Sequence, residues 1–164
     1  MTLRRVRIPV PGAAGVAAAR DRVLSQVAAW GVPLAAEQHD AIKLVASELV
    51  TNAVVHGQGP ISVGLYLSDC RVLLVVHDSS RTLPVRRPYS DDERESGRGL
   101  FLVEHFASRS GWSATALGKR VWAEFEVPAI PPARVSLAAR RAQIVRAKPR
   151  LCIRPHGPVL AVAS

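Results

Sequence analysis

The chain has 164 residues, 48% of them hydrophobic and 21% charged, an ordinary make-up for a soluble globular protein that needs no disulfide staples. Two distant cysteines, Cys70 and Cys152, exclude a disulfide framework and suit a reducing cytoplasm; no secretory core or run of 18 apolar residues is present. The net charge of +9 is unevenly placed: residues 134–164 hold seven of the 22 cations and no acid, leaving residues 1–133 at only +2.

In chain order, Leu3 to Val10 alternates apolar and basic residues and predicts a short edge strand. An Ala-rich stretch from Ala13 to Trp30, with Val16, Ala19, Val23 and Val27 at helical spacing, predicts a helix stopped by Gly31. A second helix is expected from Ala35 to Val55, with Ala41, Leu44, Val45, Leu49, Val50 and Ala53 as its apolar face and His56-Gly57 as its end. Ile61–Ser68 alternates and Cys70–Val76 is almost wholly apolar, so the two read as a β-hairpin around Ser68-Asp69, with Cys70 as a buried small hydrophobe. From Ser79 to Arg98 the apolar pattern stops, and a loop of this length in a compact domain is usually functional or mobile. A short helix over Leu100–Phe106 and two strands, Arg109–Leu117 and Arg120–Val127, with Gly118-Lys119 between them, complete the body. The order β-α-α-β-β-loop-α-β-β predicts a two-layer α+β sandwich, with helices on one face of a mainly antiparallel mixed sheet. Residues 1–130 form the expected domain and 131–164 a basic Pro/Ala/Arg-rich tail.

Three clusters carry potential chemistry. Glu48 and Asn52 lie four apart and share one face of the second helix, where a carboxylate and a carboxamide can position a hydroxyl or water and ligate a hard cation. Taken alone, the pair reads first as a solvated polar stripe with an i,i+4 hydrogen bond. Asp78 closes an apolar strand, where its carboxylate can accept from an exocyclic amine or simply initiate a turn. Ser96-Gly97-Arg98-Gly99-Leu100 runs straight into a helix; its glycines let amides approach a phosphate, and ordinary loop flexibility is the bland alternative. His77 and His105 read as structural, and Trp112 and Trp122 as packing residues.

Taken in order, these clusters resemble the N, G1 and G2 boxes of the GHKL (histidine-kinase-like) ATPase superfamily with its Bergerat ATP-binding fold. The likeness spans roughly residues 8–127 and is nearest to the bacterial anti-sigma-factor serine/threonine kinases. The resemblance implies Glu48 as general base, Asn52 as the Mg²⁺ ligand, and Asp78 as the acid that reads the adenine amine. Gly97, Arg98, Gly99 and Leu100 would form the phosphate-binding turn, and Ser79–Ser96 the ATP lid. One departure stands out: the family's D-x-G-x-G reads Asp78-Ser79-Ser80-Arg81-Thr82 here, and no Thr accompanies Lys119 near the final strand.

The function implied is an ATP- and Mg²⁺-dependent serine/threonine kinase that phosphorylates an antagonist protein and binds a sigma factor. The alternative is a non-catalytic ATP-binding module that sequesters a partner, which the altered G1 box favours and the intact Glu48/Asn52 pair opposes. No membrane association is expected, and self-association as a homodimer is left open. Nucleic acid would be bound, if at all, through the tail, whose cations lack interleaved aromatics for base stacking.

Overall fold

The computed structural model of the protein describes residues 3–84 and 98–130. The expected basic tail, Gly97 and most of the expected lid lie outside the described residues.

The element order is β1 (Arg4–Val10), a 3₁₀ turn (Ala13–Gly15), α1 (Val16–Ala29), α2 (Ala36–His56), β2 (Ile61–Ser68), β3 (Arg71–Asp78), α3 (Arg98–Phe106), β4 (Arg109–Thr115) and β5 (Gly118–Glu126). The strands form one sheet in the order β1-β2-β3-β5-β4, and every pairing is antiparallel. The α+β sandwich read from the sequence is the architecture observed.

Local chemistry fixes the joints. Gly31 ends α1 with φ 77°, a left-handed conformation open to glycine at little cost. Pro33 separates the two long helices. The side chain of Gln38 then secures the start of α2: its Oε1 accepts from the Ala35 amide at 3.1 Å, and its Nε2 donates to the Glu126 carbonyl at 3.1 Å. That second bond ties the N-terminus of α2 to the far end of β5. Asp69, at φ 49°, turns the β2–β3 hairpin, a position that Asp tolerates better than most residues.

Helix α2 runs 21 residues across the sheet and buries Ile42, Val45, Ala46, Leu49, Val50 and Ala53. Its inward face is thus rotated from the expected one: Ala41 and Leu44 are half-buried, while Ile42 and Ala46 point fully inward. Opposite them lie Ile8 and Val10 of β1, Val63, Leu65 and Leu67 of β2, Val72, Leu74 and Val76 of β3, and Ala123 and Phe125 of β5. This alternation gives the sheet one dry face and one open face. Truncating a fully buried residue such as Leu49 to Ala would cost about 2–5 kcal/mol.

Two local expectations are corrected. Gly118 and Lys119 do not form the last turn; they begin β5, and the turn falls at Ala116-Leu117. Cys70 sits half-buried in the β2–β3 turn and not inside the strand, because β3 starts at Arg71.

Candidate functional site

The site grows out of the C-terminal half of α2. One turn of helix sets Glu48 and Asn52 on the same side, and both are half-buried. What they face is the first turn of α3. A Cβ built on Gly99 would come within 2.7 Å of Glu48 Oε2, 3.1 Å of Asn52 Nδ2 and 3.6 Å of Asn52 Oδ1. Only a residue without a side chain leaves the base and the amide this close to the backbone. Gly99 is the second residue of α3, so these polar heads meet a helix N-terminus whose amides lack intrahelical acceptors and whose dipole favours negative charge.

About one and a half turns further along α2, its C-cap Gly57 reaches Asp78. A Cβ at Gly57 would lie 3.0 Å from Asp78 Cγ and 2.1 Å from the Ala53 carbonyl oxygen. From the other side, a Cβ at Gly118 would fall 2.2 Å from the Asp78 carbonyl oxygen. Glycines on a helix end and on a neighbouring strand therefore crowd in on the acid.

Asp78 is the last residue of β3 and is paired in register with Lys119 of β5. Directly opposed residues share a face of the sheet, and Val76, two residues back, is in the core. Both side chains therefore point to the helical face. Lys119 Nζ donates to Asp78 Oδ1 at 3.1 Å, with side-chain exposures of 6% and 1%. The Ser80 amide donates to the same Oδ1 at 2.8 Å. The second oxygen, Asp78 Oδ2, is buried and has no hydrogen-bond partner among the described residues. A buried carboxylate oxygen left unmatched is costly, and it is the atom in this neighbourhood most suited to accept from a ligand N–H.

Ser80 and Thr82 occupy the positions where the family pattern has glycines. Neither has positive φ. Ser80 is buried, and its hydroxyl accepts from the Thr82 amide at 3.2 Å.

On the open face of the sheet, His77 sits between two arginines held by serine hydroxyls. Arg7 donates to Ser62 Oγ at 3.0 Å, and Arg120 donates to Ser113 Oγ at 2.7 Å. Burial holds the His77 imidazole below its ordinary pKa, with the Arg7 and Arg120 charges adding to the effect against a weaker opposing pull from Asp78. His77 thus belongs to the opposite face from the site.

Of the candidates read from the sequence, Glu48, Asn52 and Gly99 converge directly, and Asp78 joins them along α2. Leu100, the next residue of α3, lines a shallow pocket together with Val103, Trp112 and Val121. Gly97 and the Arg98 side chain lie outside the described residues. Lys119 was missed as a site residue because it was assigned to a turn. The signal was available: stepping back by twos from Phe125, Ala123 and Val121 puts Lys119 in the inward phase.

Among the described residues no helix is long and apolar enough to cross a membrane. The histidine kinase-like ATPase domain matches residues 13–125. Two curated relatives, both the anti-sigma F factor of Bacillus licheniformis, are each 35% identical over 77 residues, covering 40% of this chain and 53% of theirs. The chain thus spans about half the length of the curated relatives it matches. A helix-borne acid and amide against a glycine, a strand-end aspartate with a free oxygen, and a domain match over most of the body all agree: the chain belongs to the histidine kinase-like ATPase family.

Proposed function

We propose that this chain binds ATP with Mg²⁺ and acts as an anti-sigma-factor serine/threonine kinase, transferring a phosphoryl group to a hydroxyl on an antagonist protein. The observation that carries the reading is the contact of Glu48 and Asn52 with the Gly99 backbone, which joins a base, an oxygen ligand and phosphate-binding amides within one helical turn. The donor set suits the ligand. Asp78 Oδ2 offers an unused acceptor for an exocyclic amine. The carboxamide oxygen of Asn52 offers one hard ligand to Mg²⁺. No group of three His, Cys, Asp or Glu among the described residues could hold a metal alone, so the remaining ligands would be phosphate oxygens and water. MgATP, when bound, supplies the phosphoryl group and neutralises its charge. Glu48 orients the acceptor hydroxyl and takes its proton, while the Gly99 turn holds phosphate oxygens through amides. The likeness to anti-sigma F factor supports a sigma factor and its antagonist as the partners.

Titration calorimetry tests the site. Wild type should bind ATP more tightly with Mg²⁺ than with a chelator present, and Asn52→Ala should lose that difference; a variant that keeps the full-strength, Mg²⁺-dependent binding would remove Asn52 from its role. Label transfer from [γ-³²P]ATP to candidate antagonist proteins then tests the chemistry. Glu48→Ala should abolish transfer and keep binding. A second reading, a non-catalytic ATP-binding regulator, is favoured by Ser80 and Thr82 in place of glycines. It predicts no transfer by the wild type with any antagonist it binds.

A further inference from the structure

We propose that Lys119 reads the nucleotide base: its ammonium and Asp78 Oδ2 form a fixed donor–acceptor pair matched to the ring-nitrogen and amine edge of a 6-aminopurine. This rests on the ATP-binding reading and adds to it a residue that the family pattern does not supply. A lysine ammonium has three N–H donors. One is used on Asp78 Oδ1 at 3.1 Å, and among the described residues Lys119 Nζ has no other hydrogen-bond partner. The carboxylate beside it is held in one orientation, because Oδ1 accepts from both Lys119 and the Ser80 amide while Gly57 packs against Cγ. Oδ2 is thereby left as a buried acceptor next to unused buried donors.

A 6-aminopurine carries a donor, the exocyclic amine, adjacent to an acceptor, N1. The amine would donate to Oδ2 and N1 would accept from Nζ. Guanine presents the two functions in the reverse order, an acceptor O6 beside a donor N1–H. A carboxylate and ammonium fixed in place therefore select the first base over the second.

The test is a calorimetric comparison of the full chain with three Mg²⁺ nucleotides: ATP, 1-deaza-ATP, in which N1 is replaced by C–H, and purine riboside triphosphate, which lacks the amine. Each analogue deletes one hydrogen bond to a charged group, so wild type should bind each roughly 10- to 100-fold more weakly than ATP. In Lys119→Met, ATP and 1-deaza-ATP should bind equally, while the amine-free analogue stays weaker. Equal binding of ATP and 1-deaza-ATP by wild type overturns the assignment without recourse to any variant, so a poorly folded Lys119→Met cannot shield it. It is likewise overturned if Lys119→Met weakens all three nucleotides by one common factor, the mark of a merely structural lysine, or if the variant binds ATP more tightly, the mark of an ion pair that competes with the base. Wild type that binds no ATP at all would sink the nucleotide reading itself, a result distinct from either of these.

Discussion

The buried pair of Lys119 and Asp78 makes a sharp claim about stability. At an effective dielectric of about 20, opposite charges at their 3.1 Å separation attract by about 5 kcal/mol, which roughly offsets the cost of taking both out of water. Lys119→Met removes the attraction and leaves the carboxylate buried, now with only the Ser80 amide as partner. Breaking one side of such a pair typically costs about 3–5 kcal/mol. For a domain of this size each kcal/mol moves Tm by about 4 °C, so the melting temperature should fall by about 12–20 °C. Asp78→Asn keeps an oxygen for the Ser80 amide yet leaves the lysine unpaired, and should cost a similar amount. The double variant carries neither charge and should recover most of the loss, giving a coupling of about 5 kcal/mol or more in a double-mutant cycle. Chemical denaturation at neutral pH, with nucleotide absent, measures all four proteins. Single substitutions that cost under about 1 kcal/mol, or costs that simply add in the double, would refute the claim that both charges are buried and mutually dependent.

Two further outcomes follow from the same neighbourhood. Gly118 has φ 147°, and a Cβ there would meet the backbone of Asp78 and Ser79 at 2.2 and 2.5 Å, so Gly118→Ala should destabilise by about 2–4 kcal/mol; an unchanged urea midpoint would contradict the packing. His77 has its folded pKa held below the unfolded value, so the unfolded chain takes up a proton first as pH falls. The stability His77 contributes is therefore complete above pH ~6.5 and is lost as pH falls below that value toward its folded pKa. Unfolding free energies at pH 7.5 and 5.5 should fall more for wild type than for His77→Gln, and equal falls would count against it.

Much of this was legible in the sequence because the strands alternate cleanly. Val63, Leu65 and Leu67 in β2 and Ile8 and Val10 in β1 announce their inward phase without help from the rest of the chain. The long helices were legible in extent, since Gly31, Pro33 and Gly57 punctuate them. The inward face of α2 was harder to phase. Its sequence is apolar around much of the circumference, and an added Ala41 or Leu44 looks as good as Ile42 or Ala46 until the sheet chooses among them. The convergence of Glu48, Asn52 and Gly99 could not be read from spacing, because Gly99 lies 51 positions after Glu48; it depends on α3 packing beside α2. Lys119 was hidden for a different reason. A Gly-Lys pair between two strands looks like a turn; counting back in twos from Phe125 gives Lys119 its inward phase, and the β3–β5 register adds that it opposes Asp78.

That register also accounts for how the site accommodates Ser80 and Thr82 where the family pattern calls for glycines. Glycines after the acid would make room around it, but here the room comes from other elements. Gly57 closes in from the helix, Gly118 from β5, and Gly59 meets the Ser79 side chain, where a Cβ would lie 2.6 Å from Oγ. The segment after Asp78 is consequently free to be rigid. Ser80 donates its amide to Oδ1 and accepts from Thr82 through its hydroxyl, so the chain leaving β3 is tied back onto the acid. Ser79 donates its own amide to the Gln58 carbonyl at 2.7 Å, anchoring the same segment to the end of α2. A loop built this way loses conformational freedom before any ligand arrives, and less ordering remains to oppose binding. Serine at position 80 is therefore consistent with a working nucleotide site whose acid is fixed in advance, by Lys119 on one side and Ser80 on the other.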